Sequence, residues 1–296
     1  MKNIRITSVI IFTLAIIFFK TSPLSADQSN FSLLPVPLPY PYFEPGRTDF
    51  RIAAAKASLS GNNIDLNGGG AYFMGRHAFN EYVAIDGLIG AFGANGDMPG
   101  FALPFIFQGI PFEPVYEGKG KLTGFGVPFA LDLEVQLIHK PVGSLILFGG
   151  PNMSVASLTL DTPYHAFFPG APPFLLPATA ESTNFETKSS VFMGGAQVGA
   201  QAGINIGPIT VAPFYMVISQ SGSATFTFDD GYRGTDQIQG TSTNIEPFVV
   251  TATGFDVIIR PWNLSIGTLI QDAGSTTNQE GYKVKVFQLT WHFRTK

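Results

Sequence analysis

The chain has 296 residues, of which 45% are hydrophobic and only 13% are charged, whereas soluble proteins average roughly 25% charged residues. The formal net charge of −4 argues against a nucleic-acid partner, because nucleic acids are bound by basic surfaces. The sequence contains no cysteine, which excludes disulfides, thiol catalysis and cysteine-based metal sites.

Residues 1–26 have the pattern of a secretory signal peptide, with Lys2 and Arg5 before an apolar segment at 9–19. That segment is shorter than the roughly 20 residues a spanning helix needs, so we expect cleavage after Ala26 rather than a membrane anchor. Residues 27–47 carry prolines at alternate positions, which predicts an extended leader. We expect the leader to be a spacer; the alternatives are that it lines a barrel interior or docks a partner.

From residue 48 onward, apolar and polar residues alternate in segments bounded by turn residues, and no apolar run reaches 18 residues. A period of two predicts β-strands. It is clearest at 121–138, where the odd positions from Phe125 to Leu137 are apolar and the even positions include Asp132 and Glu134. The predicted strands are 48–59, 64–76, 81–93, 121–138, 144–159, 188–205, 208–227, 245–260, 263–271 and 281–293.

The connections between these strands alternate between short and long. The short ones are 77–80, 139–143, 206–207 and 261–262, and the long ones are 94–120, 160–187, 228–244 and 272–280; 60–63 is a short exception among the latter. Tight turns on one side and long loops on the other are typical of barrels that cross the bacterial outer membrane. The predicted fold class is an all-β, antiparallel transmembrane β-barrel over residues 48–296. About ten strands are expected, with twelve or eight as alternatives.

The last predicted strand ends in alternating large apolar residues, Phe287, Leu289, Trp291 and Phe293. In this respect the chain resembles the small outer-membrane β-barrel proteins of Gram-negative bacteria, which present an aromatic C-terminal signal to the barrel-assembly machinery. The usual pattern ends on the aromatic residue, whereas here residues 294–296 follow. The resemblance implies an outer-membrane location, with outer-membrane lipid and that machinery as partners.

The predicted strand directions gather inward-facing polar residues at the periplasmic end. These residues are Arg51, Asp86, Asp132, Glu134, Gln136, Asp256, Arg260 and His292. Nearer the outside, the inward positions become small, at Gly90, Gly124 and Gly126, which predicts a vestibule. Because side chains just fill an eight-stranded barrel and ten strands are only slightly wider, the polar cluster is either a closed core of paired charges or a narrow conduit.

Two of the long loops are unusually apolar. Their phenylalanines are Phe101, Phe105, Phe107 and Phe112 in 94–120, and Phe167, Phe168 and Phe174 in 160–187. Large exposed apolar patches mark binding sites, so one interpretation is a lid or funnel for a small apolar solute, or a contact for lipid or protein. The other is a cap in which the loops bury one another. The density of proline predicts that both loops are irregular.

Enzymatic activity, a cofactor and a metal site are not expected, because the four histidines are scattered and no phosphate-binding or dinucleotide motif is present. The leading hypothesis is a small passive channel or conduit whose apolar loops favour hydrophobic solutes. The alternative is a closed-lumen structural or interaction barrel that acts through its extracellular loops. The sequence does not determine the oligomeric state.

Overall fold

A computed structural model describes residues 46–61, 64–99, 105–107, 110–116, 119–167, 183–229, 238–273 and 282–294. The predicted signal peptide, 1–26, and all but the last two residues of the leader, 27–47, lie outside them. The described residues form these strands: β1 (Thr48–Gly61), β2 (Ile64–Ala78), β3 (Val83–Pro99), β4 (Phe105–Phe107), β5 (Ile110–Tyr116), β6 (Lys119–Lys140), β7 (Gly143–Phe167), β8 (Thr183–Ile206), β9 (Ile209–Asp229), β10 (Ile238–Ile259), β11 (Leu264–Ala273) and β12 (Tyr282–Arg294).

Ten of these strands close an antiparallel barrel. Going round the wall, the order is β1, β2, β3, β6, β7, β8, β9, β10, β11 and β12, and β12 pairs with β1 to complete the circle. The two remaining strands, β4 and β5, lie outside this circuit. The prediction of an all-β barrel of about ten strands is therefore confirmed.

The short connections of the barrel, 79–82, 141–142, 207–208 and 260–263, lie at one end, which we call the turn end; the opposite end is the loop end. The Asn80 side chain closes the first turn by accepting hydrogen bonds from the backbone N of Tyr82 (2.8 Å) and Val83 (2.9 Å). Gly207 (φ 57°) and Asn263 (φ 50°) adopt left-handed conformations in two others. Among the described residues, no helix is long and apolar enough to cross a membrane.

The wall strands extend beyond their predicted bounds at the loop end. β7 continues to Phe167. Beyond the loop end of β6, β7 pairs instead with β5, from Glu113 opposite Phe167 to Tyr116 opposite Tyr164. The prediction that proline keeps 94–120 and 160–187 irregular is therefore wrong for these parts. Short strands near a sheet edge tolerate proline, since few ladder hydrogen bonds are lost there.

The outside of the barrel is apolar and its inside contains the buried polar groups. Outward side chains such as those of Phe125 (56% exposed) and Phe287 (55% exposed) lie on the barrel surface. We call this outward set the apolar belt; its larger members are Phe50, Ile52, Phe73, Ile89, Phe125, Phe129, Leu133, Val155, Phe192, Tyr215, Phe255, Ile266, Ile270, Phe287, Trp291 and Phe293. Soluble proteins show the opposite distribution, whereas a barrel in lipid requires this one.

The predicted assembly signal lies on the strand that closes the barrel. Phe287, Trp291 and Phe293 are exposed on the outward face of β12, and Leu289 is half-buried on the same face. β12 pairs with β1 from Arg294 to Lys283. These residues thus lie on the outward face of the barrel; their recognition by an assembly machinery stays a prediction.

Inward aromatic rings lie against glycines of the neighbouring strand. A Cβ atom at Gly90 would be 2.2 Å from Tyr72 Cδ1, one at Gly199 would be 2.4 Å from Phe148 Cζ, and one at Gly254 would be 2.7 Å from Phe214 Cε1. Because glycine has no side chain, these rings can pack close to the backbone of the neighbouring strand.

Substituting Gly90 with alanine should therefore lower the free energy of unfolding by about 1–3 kcal/mol, the usual cost of overpacking. The matched control is Gly93→Ala on the outward face of the same strand, where the nearest atom to the new Cβ is Gly124 O at 3.7 Å. Urea unfolding of the refolded protein in detergent micelles measures both. Equal stability of the two variants would show that the Tyr72 ring does not depend on this glycine.

Candidate functional site

Four charged side chains from four adjacent wall strands form ion pairs inside the turn end of the barrel. Arg51 comes from β1, Arg76 from β2, Asp86 from β3 and Glu134 from β6. The register brings them together, since Arg76 lies opposite Asp86 on the neighbouring strand. We call these four residues the charge quartet.

The quartet forms two linked ion pairs. Arg51 Nη2 donates to Asp86 Oδ2, and Arg76 holds Glu134 at two points, with Nε 2.7 Å from Oε2 and Nη2 3.0 Å from Oε1. Arg76 Nη2 also lies 4.0 Å from Asp86 Oδ2, which joins the pairs. Arg76 and Glu134 are each only 1% exposed. Two cations and two anions make the quartet neutral, which makes the burial of its charges tolerable.

Three side-chain amides form a hydrogen-bonded chain inside the barrel that ends on the carboxylate of Asp132. Gln220 Nε2 donates to Asn152 Oδ1 (2.9 Å), Asn152 Nδ2 donates to Gln197 Oε1 (3.4 Å), and Gln197 Nε2 donates to Asp132 Oδ2 (2.7 Å). These residues come from β9, β7, β8 and β6. The chain ends beside the quartet, since Asp132 lies opposite Asp86 and on the same strand as Glu134.

The other predicted polar residues are placed as follows. Asp256 and His292 are buried near Ser265, whose Oγ lies 2.9 Å from His292 Nε2 and which also hydrogen-bonds Asp256. Gln136 is buried, but its Nε2 donates to the Glu81 carbonyl oxygen (3.0 Å). Gln136 therefore stabilises the first turn and is not a member of the quartet.

Arg260 does not join the inward polar cluster. It begins the short 3-10 helix Arg260–Trp262, and its guanidinium donates to the carbonyl oxygens of Gly207 and Pro208 in the neighbouring turn. The sequence predicts an inward-facing Arg260 only if the period of two continues past Ile259. The helical turn breaks that period, so the side chain reaches sideways to the next connection.

Directly above the quartet, toward the loop end, the lumen is filled by apolar side chains. Met74 and Tyr72 follow Arg76 along β2, and Leu88 follows Asp86 along β3. They pack with inward residues of every wall strand except β8. We call this set the apolar layer; its larger members are Tyr72, Met74, Leu88, Phe148, Phe214, Met216, Ile218, Leu269 and Val286. The small-residue vestibule therefore does not begin at the polar cluster.

On β3 and β6 the inward face becomes more accessible above the apolar layer. Gly90, Phe92 and Ala94 of β3 are half-buried, as are Gly124 and Gly126 of β6. We call the inward surface of these five residues the vestibule; Tyr72 and Leu158 pack over Gly90 and Gly124. It lies nearer the loop end than the apolar layer, which separates it from the charges; an opening to the outside at Gly90, Gly124 and Gly126 stays a prediction.

The predicted apolar loops are partly within the described residues. Phe105, Phe107 and Phe112 belong to β4 and β5, and Phe167 is the last residue of β7. The pairing of Glu113 with Phe167 brings the backbones of the two loops together. Phe101, Phe168 and Phe174 lie outside the described residues.

Arg76 is the most important residue that sequence reasoning missed. The predicted second strand ends at residue 76, and no partner was assigned to its last side chain. The signal was available, because Arg76 and Asp86 lie five positions on either side of Glu81 in a tight hairpin. The amides Asn152, Gln197 and Gln220 were missed because uncharged inward residues resemble ordinary lumen filling.

No protein-family model matches the chain, and no curated protein matches it in sequence. Several solved structures of outer-membrane β-barrels are similar to it. Ail, the attachment invasion locus protein of Yersinia pestis, is 12% identical over 84% of this chain and 100% of that chain, with a TM-score of 0.33. The translocator domain of autotransporter NalP from Neisseria meningitidis is 9% identical over 83% and 88%, with a TM-score of 0.43. The Ralstonia pickettii toluene transporter TbuX is 8% identical over 86% and 90%, with a TM-score of 0.32.

Proposed function

We propose that this protein is an outer-membrane β-barrel whose lumen is closed to ions by its own side chains and which acts through its loop end. The apolar belt supports a location in lipid, because a continuous outward apolar surface is unfavourable in water. The even number of wall strands and the tight turns support the orientation, with the turn end in the periplasm and the loop end outside.

The apolar layer is the observation that carries the closed state. Its residues come from opposite sides of the barrel and pack into one cluster. An ion that crosses such a layer must lose its water without gaining polar partners, which costs many kcal/mol, and hydrophobic constrictions of this kind exclude water. The quartet below the layer pairs its two cations with two anions, so it contributes no net charge that would attract an ion.

Ion conductance of the refolded chain in a planar bilayer tests this proposal. Heat-modifiable migration on a gel first shows that the barrel has formed. We expect no steady conductance from the folded protein. Reproducible conductance steps from the unmodified chain would contradict the closed lumen and would favour a passive channel instead.

A second function, binding of a small apolar solute, is favoured by the vestibule. Phe92 is half-buried there, next to Gly68 and Gly70, and the apolar layer forms an apolar floor below it. The loop sequences around 101–112 and 167–174 are rich in phenylalanine, which is consistent with an apolar entrance.

Replacing Gly126 with phenylalanine should block such binding, because the new side chain would point into the vestibule. A Cβ at Gly126 has ordinary contacts only, 3.5 Å from the Ala156 Cβ. The measurement is the NMR chemical-shift change of Ala94 and Gly124 on adding toluene to protein in micelles. The control Ser157→Phe, on the outward face of β7, should keep the response. A response that survives Gly126→Phe would place the solute elsewhere.

A further inference from the structure

Three lysines stand together on the outside of the barrel where β1 meets β12. Lys56 of β1 and Lys283 and Lys285 of β12 are exposed and alternate with inward residues. In the register Ser58 lies opposite Lys285, Ser60 opposite Lys283 and Lys56 opposite Phe287. Lys56 and Lys285 are therefore diagonal neighbours, which lie about 7–8 Å apart in antiparallel sheets. We call these three residues the lysine patch.

The patch lies at the edge of the apolar belt nearest the loop end. On β12 the outward positions that follow toward the turn end are Phe287, Leu289, Trp291 and Phe293, and on β1 they are Ile52 and Phe50 beyond Ala54. β11, next to β12, has ten residues, close to the roughly 9–11 that cross a bilayer. Because the strands on this side are short, the lysines lie at the level where acyl chains end and head groups begin.

Among the described residues, acids lie beside the patch only at the level of Lys283. Asp272 lies opposite Lys283, and Asp65 lies opposite Ser60, both at the row farthest from the belt. Lys285 has Ile270 and Ser58 on either side, and Lys56 has Phe287 and Gly69. Ser58 and Ser60 lie on the same outward face as Lys56, opposite Lys285 and Lys283, and their hydroxyls add hydrogen-bond donors.

Outward lysines on the opposite side of the barrel differ in this respect. Lys121 has Asp97 and Asp161 as its two cross-strand neighbours. Lys188 forms an ion pair with Glu186 (2.5 Å). Lys56 and Lys285, unlike Lys121, have no acid directly opposite them on either neighbouring strand, and unlike Lys188 they have no acid two positions away on their own strand.

We propose that the lysine patch binds the phosphate groups of lipopolysaccharide, the phosphorylated glycolipid of the outer leaflet. Its acyl chains would lie on the belt beside Phe287 and Ile52, while the lysines extend along the surface to the phosphates, as amphipathic side chains do at interfaces. Hydroxyl and ammonium donors suit a phosphate, and the adjoining apolar surface favours a lipid over a soluble anion. The inference rests on the proposed outer-membrane location.

The test compares two variants in lipopolysaccharide binding by protein refolded in micelles. Lys56→Gln with Lys283→Gln and Lys285→Gln should weaken binding by about tenfold to a hundredfold, since a basic residue near an anionic lipid surface contributes about 1 kcal/mol. The control, Lys121→Gln with Lys188→Gln, should bind as the unmodified chain does. Dephosphorylated lipopolysaccharide should bind the unmodified chain as weakly as the intact lipid binds the triple variant.

Equal binding by the triple variant and the control would overturn the proposal, as would equal binding of the dephosphorylated lipid. The outward substitutions leave the lumen unchanged, so heat-modifiable migration checks folding separately. A conducting lumen would contradict the closed state without affecting this test. Recovery of the native protein in the inner-membrane fraction of cells would overturn both the proposed location and this lipid as the natural ligand.

Discussion

Replacing Arg76 with methionine is expected to lower the free energy of unfolding by about 3–5 kcal/mol, the usual effect of removing one partner of a buried ion pair. The loss arises because Glu134, 1% exposed, would remain as a buried carboxylate without its two-point partner. Methionine keeps most of the volume, so the cavity contribution is small. Urea unfolding of the refolded barrel, followed by tryptophan fluorescence, gives the value.

A double variant separates the ion pair from general packing. Arg76→Met with Glu134→Gln removes both charges of the pair and leaves Arg51 with Asp86, so part of the stability should return. The coupling energy of the cycle is the measure. If the double variant is as unstable as the sum of its single variants, the two side chains act independently and the quartet is not an energetic unit.

Arg260→Met is the matched control at the turn end. Its guanidinium donates to backbone carbonyl oxygens in an exposed turn, and a hydrogen bond of this kind contributes about 1 kcal/mol. A loss as large as that of Arg76→Met would show that the effect follows from any lost arginine and not from the buried pair.

The wall strands could be predicted from sequence where one face is apolar and the other is not. On β6 the odd residues from Phe125 to Leu137 face outward, and Asp132 and Glu134 face inward. The alternation therefore predicts both the strand and which of its faces points inward. Turn residues such as Pro141 and Gly207 then fixed where neighbouring strands meet. Together these signals were sufficient for the strand number and the position of three of the four quartet residues.

The apolar layer could not be predicted in the same way, because some of its strands, such as β9, are apolar on both faces at this height. On β9 Phe214, Met216 and Ile218 face inward while Tyr215 and Val217 face outward. Such a run defines a strand but says little about what fills the lumen at that height. Which inward residues meet across the barrel depends on the register of all ten strands, which no single segment contains.

Opening the lumen to ions is expected to require changes in both of its closed levels. Asp132→Ala with Glu134→Ala removes two side chains at the turn end, but the apolar layer above them remains intact, so this variant should stay silent in a planar bilayer. Phe148→Ala with Phe214→Ala thins the layer but leaves the quartet and the amide chain in place, and we expect no steady conductance from it either.

The combination of all four substitutions should give steady conductance steps, because it removes bulk at both levels on neighbouring parts of the lumen. Each phenylalanine truncation costs about 3–5 kcal/mol, so only variants with heat-modifiable migration are compared. If the fourfold variant does not fold, Phe214→Ala combined with Asp132→Ala and Glu134→Ala is the milder test. Conductance from the Asp132 and Glu134 variant alone would show that the apolar layer does not seal the barrel. Silence of the folded fourfold variant would place the obstruction nearer the loop end, where β5 pairs with β7.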